Sequence, residues 1–536
     1  MKKSAYFLTL LLVFSGCGAQ GEAPGEAPAA MSEGVEVGQG LLTGTTSADG
    51  DVLIFKGVPF AAPPVGPLRW QPPQPAAAWS GERAADAFGA SCIQNLARSR
   101  APWTEPFMVQ GDADEDCLYL NVWTAAENAS ASSPVLVYIH GGGFNEGSGS
   151  IDTYDGEALA RKGTVVVTIN YRVGPLGLLA HPALTSESEH GASGNYGLLD
   201  QVAALEWVQE NIEAFGGDPN RVTVAGQSAG AISVILLTAS PMAEGLFHRA
   251  IIQSGPGALA SFGVVGYENL AGPLSEAERA GEQFAANMGV ESLEDLRALT
   301  PDEIMETTEG VPPVRFRPVV DGWFLPDNVA DVYASGRMID VPTMSGMNAD
   351  EGSAFPGYGT TTLEAYRQEV RERYGDQADE FFGLYPAESD EEASRAQIDA
   401  SRDRGLMAMQ QIAEQRAATA ETDLYLYYFE RGIPWPEYPR FGAFHTSEVP
   451  YVFDNLSKLD RPWEDIDHRL AAVLSSYWAN FAAQGDPNGA DLPEWNPYGI
   501  STSPFMVLGD EIGMQQLPPP DRAAFVDSFL AARTGS

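Results

Sequence analysis

The stretch RVTVAGQSAGAISVILLT (221–238) joins an apolar, β-branched run to an apolar helical run with only G-Q-S-A-G between them. A strand that turns straight into a helix has no room for bulky side chains at the turn, so small residues must flank Ser228. The pattern G-x-S-x-G alone is cheap. With 56 glycines in 536 residues, chance supplies on the order of half a match. The strand–turn–helix setting gives it weight, because it lifts the Ser228 hydroxyl above the sheet and points a helix N-terminus at it. The N–H of Ala229 is then placed to face a negative oxygen.

Strand candidates recur along the chain at 134–140, 164–171, 221–226, 250–255, 341–346 and 424–429. Several are apolar on both faces, as in a central sheet covered by helices on each side. Between two of them, YGLLDQVAALEWVQENIEAFGGDPN has apolar residues at helical spacing and stops at Gly216, Gly217 and Pro219. This alternation predicts an α/β fold with a mostly parallel sheet. Regions 265–310 and 360–420 are rich in helix and poor in strand. They lack linker-like boundaries and are expected to be helical excursions from one large unit spanning 35–536.

A serine hydroxyl needs a base. In the chain order nucleophile–acid–base, only His445 and His468 among the six histidines fall far enough downstream. His468 lies in the amphipathic run DIDHRLAAVLSSYWANFAAQ, where a solvated histidine is the simpler reading. His445 lies in RFGAFHTSEVPYVF, a loop of small residues after the last strong strand, which suits a base that must reach Ser228. The run VPTMSGMNADEGSAF puts Asp350 and Glu351 just beyond a strand, and spacing alone does not choose the acid between them. Upstream, YIHGGGFNEGS places Gly141, Gly142 and Gly143 directly after a strand, where bare N–H groups can face a ligand.

The N-terminus MKKSAYFLTLLLVFSGC has two lysines and then an apolar run too short to span a bilayer, the form of a signal peptide over 1–17. It ends in FSGC, which resembles a lipoprotein box and makes Cys17 the expected lipid-modified residue of an exported, envelope-anchored chain. Residues 18–34, containing GEAPGEAP, read as a flexible tether. The remaining cysteines, Cys92 and Cys117, suit one disulfide in an exported protein. A net charge of −42, with only five lysines, argues against nucleic acid and anionic lipid surfaces as partners. No metal-ligand spacing is present, so no metal is expected.

These stretches, together with FKGVPFAAPPVGPLRW (55–70), EDCLYLNVW (115–123), NYRVGPLGLL (170–179) and FHRAIIQSG (247–255), resemble the type-B carboxylesterase family, which includes cholinesterases, fungal lipases and bacterial esterases. The resemblance runs from about residue 35 to the C-terminal helix. It implies an α/β-hydrolase fold without a cofactor, with Ser228 as nucleophile, Glu351 as acid and His445 as base. It also implies Gly142, Gly143 and Ala229 as oxyanion donors, a Cys92–Cys117 disulfide, and ion pairs Arg69–Glu115 and Arg172–Asp200. The extra disulfides common in animal members are absent, which suits a bacterial member.

Gln227 is informative beside this pattern. Cholinesterases and many carboxylesterases have Glu there. A neutral amide offers less attraction to a cationic choline head, which favours small to medium neutral esters. Trp103, inside the 92–117 segment, reads equally as a lining of the pocket mouth or as a packing residue. Two other readings are a serine hydrolase for carbamates, amides or long-chain lipid esters, and a non-catalytic surface recognition module. The presence of every triad and glycine position weighs against the second. A monomer or weak dimer is expected.

Overall fold

The computed structural model describes residues 1, 34–96, 99–261, 266–306, 316–499 and 504–534. The signal segment, Cys17 and nearly all of the tether expected from the sequence lie outside the described residues.

An eleven-stranded sheet organises the chain. In chain order its strands are β1 (Thr45–Thr46), β2 (Leu53–Pro59), β3 (Tyr119–Thr124), β4 (Ser133–Ile139), β5 (Val165–Ile169), β6 (Gly217–Gln227), β7 (Arg249–Gln253), β8 (Thr343–Asn348), β9 (Leu424–Phe429), β10 (Pro504–Leu508) and β11 (Ile512–Gln516). Across the sheet they run β11-β10-β9-β8-β7-β6-β4-β5-β3-β2-β1. The run from β10 to β5 is parallel. The edges are antiparallel, with β11 against β10 and β3, β2 and β1 following β5. All six predicted strands are present with ends shifted by a few residues. The edge strands escaped the sequence reading because they mix polar, glycine and proline residues, as in LIFKGVP of β2.

The parallel strands are buried on both faces: every residue of β5 (VVVTI) and β9 (LYLYYF) is inside. Helices cover them, as the parallel connections require. α1 (Tyr196–Asn211) continues as a 3₁₀ turn to Phe215 and stops at Gly216, whose φ of 77° is the left-handed conformation that glycine tolerates. α2 (Ala229–Thr238) follows the Ser228 turn and is buried along its whole length. The 360–420 excursion holds α3 (Leu363–Tyr374) and α4 (Asp390–Ala417), and α5 (Asp465–Gln484) packs beside β4 and β6. The 265–310 region is likewise rich in helix where described, apart from the two-residue strand Gly272–Pro273.

Cys92 and Cys117 form a disulfide across a sequence separation of 25. Both ion pairs implied by the resemblance are present. Arg69 grips Glu115 through two nitrogens at 2.6 and 2.5 Å, and Arg172 grips Asp200 at 2.8 and 2.7 Å. Such planar two-point contacts satisfy charges that burial would otherwise leave costly.

Candidate active site

Parallel strands deliver their C-terminal ends to one edge of the sheet, and the candidate residues gather there. At the end of β6, Ser228 has φ 58° and ψ −121°, a strained backbone for a residue with a Cβ. The glycines two residues to either side are steric requirements. A Cβ on Gly226 would lie 2.4 Å from the carbonyl carbon of Gly230, and one on Gly230 would lie 2.0 Å from the carbonyl oxygen of Ile139 in β4. The turn is closed by the Ser228 N–H donating to the Gln253 carbonyl at 2.9 Å.

His445 stands over this serine. Its Nε2 is 2.7 Å from Ser228 Oγ and its Nδ1 is 2.5 Å from Glu351 Oε2. Against a carboxylate, Nδ1 carries the proton, which leaves Nε2 to accept from the serine hydroxyl. Glu351 is itself fixed, because its Oε1 accepts from the Asn348 N–H at 2.8 Å. Burial works against a charged imidazole at His445, but the charge and hydrogen bond of Glu351, with the further charge of Glu448, outweigh it and raise its pKa above 6.5.

The adjacent Asp350 faces elsewhere. Its Oδ1 takes Arg402 of α4 at 2.7 Å and the Tyr358 hydroxyl at 3.0 Å, and its Oδ2 accepts from the Ala443 N–H at 3.0 Å. Asp350 thus ties the Glu351 loop to the loop that carries His445. The alternative base, His468, is exposed on α5 and joins no site.

The glycine run lies beside the elbow. A Cβ on Gly141 would stand 3.1 Å from Ser228 Cβ, and one on Gly142 would stand 2.0 Å from the Glu146 carbonyl oxygen. Gly142 and Gly143 have φ of 106° and 62°, so the run turns back on itself as only glycine does readily. Ala229 opens α2, and the first N–H groups of a helix have no partner within it. His140, just before the run, is buried and stacked on Tyr171 with ring centroids 4.3 Å apart. Burial pushes its pKa down to about 4, so it stays neutral.

One residue here, Glu448, escaped the sequence reading, and two that the sequence singled out, Trp103 and Gln227, also touch the site. Glu448 is fully buried, with Oε1 accepting from Gln253 at 3.2 Å and Oε2 from Asn348 at 2.5 Å. Burial first, and then the charge of Glu351, raise its pKa from 4.5 to about 7. Its only trace in the sequence is a position three residues after His445. Trp103 both lines the cleft and donates through its indole N–H to the His445 carbonyl at 3.1 Å and to Thr446 Oγ1 at 2.9 Å. Gln227, before the serine, has its amide nitrogen 3.3 Å from His445 Nε2.

The cleft above Ser228 has a volume of about 530 Å³. Phe107, Met108, Val109 and Ile151 give it apolar walls, and Arg100 and Glu146, paired at 2.6 Å, also border it. Among the described residues no group of His, Cys, Asp and Glu is arranged to hold a metal.

Comparison with known proteins agrees with this architecture. The model of the Carboxylesterase family matches residues 31–526. The chain is 40% identical over 483 residues to fumonisin B1 esterase of Sphingopyxis macrogoltabida, covering 87% of this chain and 85% of that one. It is 34% identical to human cocaine esterase, covering 85% and 83% of the two chains, and 34% identical to phenmedipham hydrolase of Pseudarthrobacter oxydans, covering 86% and 92%. With the α/β-hydrolase sheet in place and the match spanning nearly its whole length, the chain belongs to the carboxylesterase family and is a carboxylic ester hydrolase.

Proposed function

We propose that this esterase cleaves small to medium neutral esters through Ser228, His445 and Glu351. The observation that carries the reading is the unbroken hydrogen-bond chain from Ser228 Oγ through both His445 nitrogens to Glu351. His445 Nε2 takes the hydroxyl proton as Ser228 Oγ attacks the ester carbonyl. The developing oxyanion is held by the N–H groups of Gly142, Gly143 and Ala229. His445 then gives its proton to the departing alcohol, leaving an acyl-serine. Water, activated by the same imidazole, attacks that acyl group and releases the acid. Glu351 stabilises the imidazolium at each stage.

The neutral-ester preference is supported by Gln227, which places an uncharged amide beside the nucleophile, and by the apolar cleft walls. The curated relatives are named for different substrates, so the physiological ester is not inherited from them. The N-terminal sequence supports export with a lipid anchor at Cys17, and the continuous sheet supports residues 35–536 acting as one catalytic unit. The test is hydrolysis of p-nitrophenyl esters of increasing acyl length by the wild type and Ser228→Ala. A serine-dependent rate that peaks at short chains is expected. Equal rates for the two proteins would overturn the reading. Labelled palmitate incorporation that persists in Cys17→Ser would exclude the anchor.

A further inference from the structure

The protein has a second cavity of about 620 Å³, bordered by the turn that follows Glu351 and by helices α3 and α4. It shares Phe355 with the catalytic cleft, and Gly352, the neighbour of Glu351, forms part of its wall. The volume is that of a small-molecule site. Phe355, Tyr358, Tyr366, Tyr374 and Phe381 form an aromatic part of its wall. Tyr374 stacks on Phe381 with centroids 4.3 Å apart, and Tyr366 stands 5.9 Å from Phe382 and 6.4 Å from Phe381.

The polar side of this cavity carries an arginine without an ion pair among the described residues. Arg404 of α4 faces it with its Nε buried and without a hydrogen-bond partner among the described residues. Its neighbour on the same helix, Arg402, is bonded to Asp350 at 2.7 Å, and Arg373 across the cavity pairs with Glu369 at 3.1 Å. The chain has 73 acidic residues against 31 Lys and Arg, yet no carboxylate lies within ion-pair distance of Arg404 among the described residues. A buried polar nitrogen without a partner is costly, and a guanidinium matches a carboxylate through two parallel hydrogen bonds.

We propose that this second cavity binds an organic carboxylate with an apolar body, the anion on Arg404 and the body against Tyr374, Phe381 and Phe355. The inference rests on the cavity and Arg404 and does not depend on the roles given to the triad. The ligand is of the same chemical class as the acid that ester hydrolysis releases. The cavity reaches the 352–355 turn beside Glu351, and Phe355 of that turn lines the substrate cleft as well.

The test is calorimetric titration with phenylbutyrate of full-length enzyme whose Ser228 has first been phosphorylated by diethyl p-nitrophenyl phosphate, which fills the catalytic cleft. Saturable binding is expected, weakened about tenfold or more in Arg404→Gln and partly kept in Arg404→Lys, with phenylbutyramide not binding. Unchanged hydrolysis of a p-nitrophenyl ester by both variants shows that they fold. Binding that is lost on phosphorylation, binding that is indifferent to Arg404→Gln, or the absence of saturable heat would overturn the site. A substrate-derived acid and an unrelated acid of equal length, titrated side by side, separate a product site from a general organic-acid site. Failure of the triad reading has a different signature, namely activity that survives Ser228→Ala.

Discussion

The indole N–H of Trp103 donates to the main-chain carbonyl of His445 at 3.1 Å, across 342 residues of sequence. The disulfide-closed segment 92–117 therefore holds the loop of the base while it walls the cleft. Replacing Trp103 with Phe keeps an aromatic wall and removes both hydrogen bonds. At about 1 kcal/mol for each of the two bonds, kcat/KM is expected to fall roughly 30-fold. Steady-state kinetics should place most of the loss in kcat, and a change in KM alone would mean that Trp103 acts only as a wall.

Ser228 occupies a backbone conformation that favours glycine. Ser228→Gly and Ser228→Ala should both abolish hydrolysis, but the glycine variant should be the more stable by about 1 kcal/mol because it relieves the strain. Chemical denaturation of the pair checks this, and equal midpoints would argue against strain at the elbow.

Glu448 makes the stability of the fold depend on pH. Its folded pKa, about 7, lies above the ordinary 4.5, so between those values the folded state holds a proton that the unfolded state has released. Stability from this group is thus present below pH 4.5 and lost as pH rises towards about 7. Glu448→Gln removes that loss, so its stability relative to wild type should improve across the same window. The variant also takes a negative charge from beside His445, so the acid limb of kcat/KM should move to lower pH. An unmoved limb in a pH–rate profile would show that Glu448 does not act on the imidazole.

The Cys92–Cys117 bridge encloses Trp103, Phe107, Met108 and Val109, all cleft-lining residues. Changing both cysteines to serine should cost about 3 kcal/mol from the loop closure. It should also raise KM for esters more than it lowers kcat, because the segment shapes the cleft more than it moves protons. Urea midpoints and Michaelis kinetics measure the two effects separately.

Arg172→Met leaves Asp200 with no exposure and no counter-charge. A cost of about 3–5 kcal/mol is expected, and the Arg172→Met/Asp200→Leu double variant should recover most of it. A double-mutant cycle on denaturation free energies decides the point.

The serine turn and the glycine run were legible in the sequence because steric limits leave a local signature. Gly226, Gly230 and Gly142 are glycines wherever main chains pass too closely for a Cβ. The parallel strands were legible for a related reason, since burial on both faces demands unbroken apolar runs. Residues that work through long-range contacts left no such mark. Asp350 and Glu351 are adjacent and chemically alike, and they are told apart only by which way the turn sends each carboxylate, one to Arg402 and the other to His445. Glu448 reads as an ordinary surface glutamate until the fold buries it between Asn348 and Gln253. Arg404 reads as one more helical arginine until α3 and α4 enclose a cavity in front of it. The central parallel strands, the serine turn and the types of group at the site could be read from the chain alone, because these follow from local sterics and apolar periodicity. Only the tertiary structure decided which charges are buried and what each one faces, because desolvation and Coulomb partners depend on segments hundreds of residues apart in the chain.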